Sequence, residues 1–272
     1  MRISFIGGGH MATSLIGGLR ARGVPAGDLT VADPVPQQLQ SLQRQFGVRV
    51  TPDNVAAVRN GDTIVLAVKP QEMATVARGI AAEVASRRRV VVSIAAGIRL
   101  QDLARWLGPD VPLVRTMPNR PALIGAGITA LYAGATVQEA DRRVVEDVLA
   151  ACGKTVWVDT EDQMDVVTAV SGSGPAYFFL LVEALETAGI GLGLAPATAR
   201  QLAVETARGA GRMAAESAET PAQLRAQVTS RGGTTAAALE VLETAGVRAI
   251  FAEAVAAATR RSAELARQFG ES

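Results

Sequence analysis

Apolar residues run in short continuous blocks through the first part of the chain and at helical spacing through the rest. Residues 2–6 form one such block and predict a buried strand. Residues 11–19 carry Met11, Leu15, Ile16 and Leu19 at the spacing of an amphipathic helix. Gly7, Gly8 and Gly9 between them predict a tight turn. Residues 28–33 predict a second strand, 36–46 a helix, 48–50 a short third strand and 52–60 a helix. The blocks 63–68, 90–94 and 113–117 predict further strands buried on both faces. Strands alternating with helices predict a parallel sheet with right-handed crossovers. After Asp162 the strand signals stop. Helices are predicted over 175–192, 196–216, 221–228, 234–245 and 247–269, with Ser171-Gly172-Ser173-Gly174 as the lead into the first.

These patterns predict an α/β Rossmann domain over 1–160 and an all-helical domain over 161–272. Strand, glycine turn and helix open a dinucleotide-binding unit, and the turn reads G-x-G-x-x-A through Gly7, Gly9 and Ala12. Glycine lets the backbone approach a pyrophosphate, and the helix start offers free N–H groups and a partial positive charge. Ligands of such sheets sit beyond the carboxyl ends of the strands. The residues expected there are 7–12, Asp33, Lys69-Pro70, Ala95-Ala96-Gly97 and Pro118-Asn119.

With 272 residues, half of them apolar, the chain can bury a sizeable core, and its net charge of +1 offers no broad face to nucleic acid. Arg87-Arg88-Arg89 reads as a solvated turn. No apolar run approaches the roughly 18 residues of a membrane helix. A single cysteine, Cys152, and a strand that starts at once point to a cytoplasmic protein with no signal peptide. One Cys and one His make a zinc site improbable.

A nicotinamide in the first domain requires a hydride acceptor or donor in the second. Alcohol dehydrogenation needs a general base, usually His, Lys or Tyr. His10 lies in the glycine turn, the two lysines are Lys69 and Lys154, and residues 161–272 hold neither type. Tyr177, the tyrosine of that half, reads as core. Reduction of a protonated imine suits such a site, because the C=N carries its charge before hydride adds. The stretch Thr229-Ser230-Arg231-Gly232-Gly233-Thr234-Thr235 precedes a helix and reads either as a plain capped start or as an anion nest for a carboxylate. The apolar faces of the helical half predict burial against a second copy.

The segments Ile6-Gly7-Gly8-Gly9-His10-Met11-Ala12, Ala67-Val68-Lys69-Pro70, Val92-Ser93-Ile94-Ala95-Ala96-Gly97, Arg115-Thr116-Met117-Pro118-Asn119, Val170-Ser171-Gly172-Ser173-Gly174-Pro175-Ala176-Tyr177 and Gly232-Gly233-Thr234-Thr235 resemble pyrroline-5-carboxylate reductases over nearly the whole chain. The resemblance implies reduction of 1-pyrroline-5-carboxylate to L-proline by NAD(P)H, and a Rossmann domain followed by a helical dimerisation domain. It implies cofactor contacts at Gly7, Gly8, Gly9, His10, Met11, Ala12, Asn54, Ala67, Val68, Lys69, Pro70, Ala95, Ala96 and Gly97. It implies substrate contacts at Ser230, Gly232, Gly233, Thr234 and Thr235, with the Thr235 hydroxyl facing the ring nitrogen as the catalytic group. A homodimer or larger homo-oligomer is implied, with no nucleic-acid or membrane partner.

Four positions depart from the family pattern: His10 for asparagine, Arg120 for threonine, Arg231 for proline, and Asp33 at the end of the second strand. An acid at the last position accepts from the ribose hydroxyls of NAD and repels the extra phosphate of NADP. The family leans towards NADPH, so NAD(H) and NADP(H) both stay open. The alternatives are another NAD(P)H-dependent imine reductase of the same plan, or a cofactor-binding regulator without catalysis.

Overall fold

The computed structural model describes residues 1–270. Contacts divide the chain into two compact units, Met1–Gly172 with the segment from Ala257 onward, and Ser173–Ala256.

In the first unit the elements are β1 (Ile3–Ile6), α1 (His10–Ala21), β2 (Leu29–Ala32), α2 (Pro36–Phe46), β3 (Arg49–Thr51), α3 (Asn54–Asn60), β4 (Thr63–Leu66), α4 (Pro70–Ala85), β5 (Val90–Ser93), α5 (Leu100–Leu107), β6 (Leu113–Met117), β7 (Gly127–Ala133), α6 (Glu139–Leu149), β8 (Gly153–Trp157) and α7 (Gln163–Val167). The strands form one sheet in the order β3-β2-β1-β4-β5-β6-β7-β8. Every residue of β1, β2, β4 and β5 is buried. Their β-branched and aromatic side chains fill two cores, one on each face of the sheet. Chain order reverses between β2-β1 and β1-β4, which is the topological switch where such sheets bind ligands.

Register sets the site edge. Ile6 pairs with Ala32 and with Leu66, Leu66 with Ser93, and Ala32 with Thr51. The ladder runs one residue further, through Gly7 N–H to Ala32 O (2.8 Å) and Ala67 N–H to Ile6 O (2.8 Å). The exits Gly7, Asp33, Ala67 and Ile94 therefore leave the sheet along one line.

Two expectations about this unit are corrected. The sheet is not wholly parallel: β7 runs antiparallel to β6. The connection between them is a single 3₁₀ turn, Arg120–Ile124, too short for a crossover helix. Of Arg87-Arg88-Arg89, Arg87 and Arg88 are exposed in the turn before β5, Arg87 donating to the Gly61 carbonyl and Arg88 pairing with Asp141, but Arg89 is buried and pairs with Glu83. Ser171 and Gly172, in the lead into the next helix, belong to a π-helical turn, Thr168–Gly172, that continues α7. By contacts the compact unit runs on to Gly172, because buried charges tie residues 161–165 to the sheet. Glu161 accepts from Arg115 (3.0 Å) and from the Leu100 N–H (2.8 Å), and Asp165 accepts from the Ser262 hydroxyl (2.7 Å).

The second unit holds α8 (Gly174–Gly191), α9 (Pro196–Glu216), α10 (Pro221–Gln227), α11 (Thr234–Thr244) and the start of α12 (Val247–Gly270). Pro175, Pro196 and Pro221 occupy first-turn positions that need no N–H donor. Large apolar side chains stay open in the single chain: Phe178 and Phe179 are each 65% exposed and Leu181 51%. The helical run Gln163–Gly191 is long and apolar enough to cross a membrane by length and composition, contrary to the expectation. Its small polar residues, Ser, Thr and Gly, interrupt the apolar run without adding charge.

Candidate functional site

The first group of residues collects at the switch edge of the sheet. Gly7 has φ +99°, and a Cβ there would lie 2.6 Å from the Ala67 carbonyl oxygen, so only glycine fits. Gly9, the residue capping α1, faces open space, where a Cβ would meet no atom within 4 Å. No side chain caps α1 and its first turn holds no acid. The first N–H to bond back is that of Thr13, to the Gly9 carbonyl at 2.9 Å. The N–H groups of His10, Met11 and Ala12 are thus left for an outside anion.

The Gly8 peptide is gripped from both ends. Its N–H donates to Asp33 Oδ2 at 2.8 Å, and its carbonyl accepts from the Gln38 side chain. Asp33 Oδ1 accepts from the Val35 N–H at 2.9 Å. Gln38 went unforeseen, since nothing in its local pattern separates it from the neighbouring glutamines of α2.

Asn54 is the first residue of α3, capped by Asp53, which accepts from the Val55 and Ala56 N–H groups. Ala67 and Val68 are half-buried at the exit of β4; Lys69 is exposed there, and Pro70 starts α4. Beyond β5, Ala96 is exposed. Ala95 is buried in the core, and a Cβ at Gly97 would meet the Phe269 ring at 3.1 Å. Asn119 turns inward, its Oδ1 accepting from the Ile128 N–H at 3.0 Å. His10 is exposed and also opens onto a cleft of about 560 Å³ that follows α1 to Cys152, away from the strand exits. Burial pushes the Cys152 thiol up to about 11.

The second group lies in the other unit, in the turn before α11. Gly232 has φ +71°, and Gly233 N–H donates to Ser230 O at 3.1 Å. That bond closes the turn and consumes one donor of the expected nest. The remaining donors are the N–H groups of Thr234, Thr235 and Ala236, because the first to bond back is Ala237, to the Gly233 carbonyl. Ser230 Oγ lies where a Cβ on Gly233 would come within 2.3 Å. No side chain caps α11 and its first turn holds no acid. Some hydroxyls bond back to the chain, as those of Thr13, Ser14, Thr168, Ser171 and Thr229 do. Those of Ser230, Thr234 and Thr235 make no such bond among the described residues. A cluster of three unengaged hydroxyls and three free N–H groups suits a small carboxylate. No group of three or more His, Cys, Asp or Glu that could hold a metal is present among the described residues.

The family model for pyrroline-5-carboxylate reductase dimerisation matches residues 161–265, and that for NADP oxidoreductase, coenzyme F420-dependent, matches residues 2–97. Pyrroline-5-carboxylate reductase of Pseudomonas aeruginosa is 48% identical over 99% of this chain and 98% of its own. The solved pyrroline-5-carboxylate reductase of Coxiella burnetii superposes with a TM-score of 0.95 at 40% identity, covering 97% of this chain and 98% of that one. The Plasmodium falciparum pyrroline carboxylate reductase, solved with NADP bound, gives 0.85 at 29% identity over 98% of each chain. An α/β dinucleotide-binding sheet, an uncapped glycine turn and a matching helical half place this chain in the pyrroline-5-carboxylate reductase family.

Proposed function

We propose that the protein reduces 1-pyrroline-5-carboxylate to L-proline with NAD(P)H, the last step of proline synthesis. The observation that carries this reading beyond the family likeness is the turn before α11, with its unengaged hydroxyls and N–H groups and no base beside them.

The cofactor, when bound, supplies a hydride. Gly7, Gly8, Gly9 and the N–H groups of His10, Met11 and Ala12 hold its pyrophosphate. Asp33 and Asn54 serve its adenosine end. Ala67, Val68, Lys69, Pro70 and the backbone of Ala95, Ala96 and Gly97 line the rest. The Ser230 hydroxyl and the N–H groups of Thr234 and Thr235 grip the substrate carboxylate, with Gly232 and Gly233 shaping the turn. The Thr235 hydroxyl orients the ring nitrogen and its proton. The iminium arrives charged, so hydride adds to carbon and the electron pair of the C=N collapses onto nitrogen. No general base is required, which matches the lack of Lys and His in residues 161–272.

Residues 1–160 serve the cofactor, and 161–272 serve the substrate and self-association. Self-association follows from the dimerisation family of the helical half. The open apolar helix Gln163–Gly191 is covered by a second copy rather than by lipid, and the enzyme works in the cytoplasm as a homodimer or larger assembly without nucleic-acid partners. The test is to add 1-pyrroline-5-carboxylate and reduced cofactor to purified protein and follow nicotinamide absorbance. Loss of absorbance with L-proline as product is expected. Oxidation only by ketones or other imines would transfer the chain to another reductase class. No oxidation by any of them would leave a cofactor-binding regulator.

A further inference from the structure

We infer that this chain takes NADH in preference to NADPH, and that Asp33 sets the choice. The inference rests on the cofactor site of the proposed function and is independent of the substrate. It also departs from relatives whose descriptions name NADP.

The distinguishing atom of NADPH is a phosphate on the adenosine ribose, which sits beyond the second strand in folds of this topology. Here the exits of β2 and β3 carry two carboxylates, Asp33 and Asp53. Neither is neutralised. Asp33 accepts only two backbone N–H groups, from Gly8 and Val35, and Asp53 accepts backbone N–H groups from Asp53's own helix, those of Val55 and Ala56. A carboxylate has about four acceptor positions, so Asp33 keeps room for the two ribose hydroxyls. Residues 32–43 and 50–58, which frame these exits, contain no lysine or arginine. Lys69, the cation of this edge, leaves β4, separated from β2 by β1. Two strand spacings put it about 10 Å away, near the screening length at physiological salt. A phosphate dianion at the β2 exit therefore meets like charge and finds no partner, whereas a diol meets an acceptor.

Asp33 also holds Gly8, so loosening the turn would weaken both cofactors alike. The ratio of the two affinities isolates the specificity role. Direct titration of the purified protein by nicotinamide fluorescence, without substrate, measures it. NADH is expected to bind at least about tenfold more tightly than NADPH, a difference of about 1.4 kcal/mol. Asp33→Asn keeps an acceptor for Gly8 and removes the charge; it should bring the two affinities within about threefold of each other. Asp53→Asn, farther along the edge, should move the ratio less. NADPH binding as tightly as NADH to the unaltered protein overturns the inference, as does an unchanged ratio in Asp33→Asn. Binding of neither cofactor overturns the cofactor reading itself and this inference with it.

Discussion

Thr235 sits at the second position of α11, and its hydroxyl, unlike those of Thr13 and Thr168, makes no bond back to a carbonyl. Its hydroxyl has nothing to hold within the described residues, and a threonine there adds no helix propensity over alanine. The group is thus dispensable for folding and available for chemistry. Thr235→Ala should lower kcat by about 10- to 100-fold, the loss of one hydrogen bond to a charged group. Cofactor affinity and melting temperature should stay the same, and Thr235→Ser should recover most of the rate. A parallel fall in cofactor affinity would remove Thr235 from the substrate. At this scale the sequence was legible where conformation is written in residue type: the glycine run announced the tight turn at which Gly7 takes a positive φ against the Ala67 carbonyl. It was illegible where geometry decides among equals. Nothing local says that Gln38 rather than Gln37 reaches Gly8, or that Gly233 spends its N–H on Ser230.

Among elements, charge pairs do the positioning. Arg115 on β6 is buried and pairs with Glu161 at 3.0 Å and with Asp165 at 3.7 Å, while Ser262 on α12 donates to Asp165. Glu161 also supplies the cap that α5 lacks, through the Leu100 N–H. Asp165 keeps Arg99 at 3.5 Å and Glu161 keeps the Leu100 N–H, so Arg115→Met removes only part of each carboxylate's pairing and should destabilise the first unit by about 1–3 kcal/mol. Urea unfolding followed by circular dichroism would show it; a midpoint within error of the parent would mean that water reaches Asp165. A second pair joins α6 to the turn before β5. Arg88 donates to Asp141, which also accepts from the Gln138 N–H, and the guanidinium holds the Asp141 carboxyl below its ordinary value. A depressed carboxylate stabilises the fold above its unfolded pKa of about 4 and loses that contribution as pH falls through the lower folded value. The stability gap between the parent and Asp141→Asn should therefore shrink below about pH 4. With Arg88 half-exposed, solvent screening keeps the pair's own share of the gap at neutral pH small. A gap that stays constant from pH 6 to about pH 3 would show that the pair contributes nothing. Strands buried on both faces were legible here because they are unbroken apolar blocks. β7 and β8 were not, because β7 mixes exposed Ile128 with buried neighbours and β8 alternates half-buried and exposed positions at the sheet's far edge.

For the whole molecule, the question is what covers the second unit. Phe178, Phe179, Leu180 and Leu181 are each more than half exposed in the single chain, and Ile250 is 61% exposed. Four consecutive apolar residues point to all sides of α8, so no one face of that helix could be turned inward to hide them. A helix of this kind ends in lipid or against protein. The dimerisation family of residues 161–265 shows self-association, which the apolar faces of the helical half predicted from sequence, and a second copy over α8 is the proposal tested next. Burying one such phenylalanine is worth about 1.5–3 kcal/mol, and in a symmetric dimer each substitution counts twice. Phe179→Glu, which puts a carboxylate in the same place, should weaken association by about 100-fold or more, at tenfold for each 1.4 kcal/mol lost. Sedimentation at micromolar concentration should show the parent protein at two or more chain masses and the variant shifted towards one. The variant's first unit should still bind NADH, because its sheet and glycine turn hold together through contacts of their own. Flotation of the parent protein with liposomes, combined with a single-chain mass in solution, would instead assign Gln163–Gly191 to a membrane.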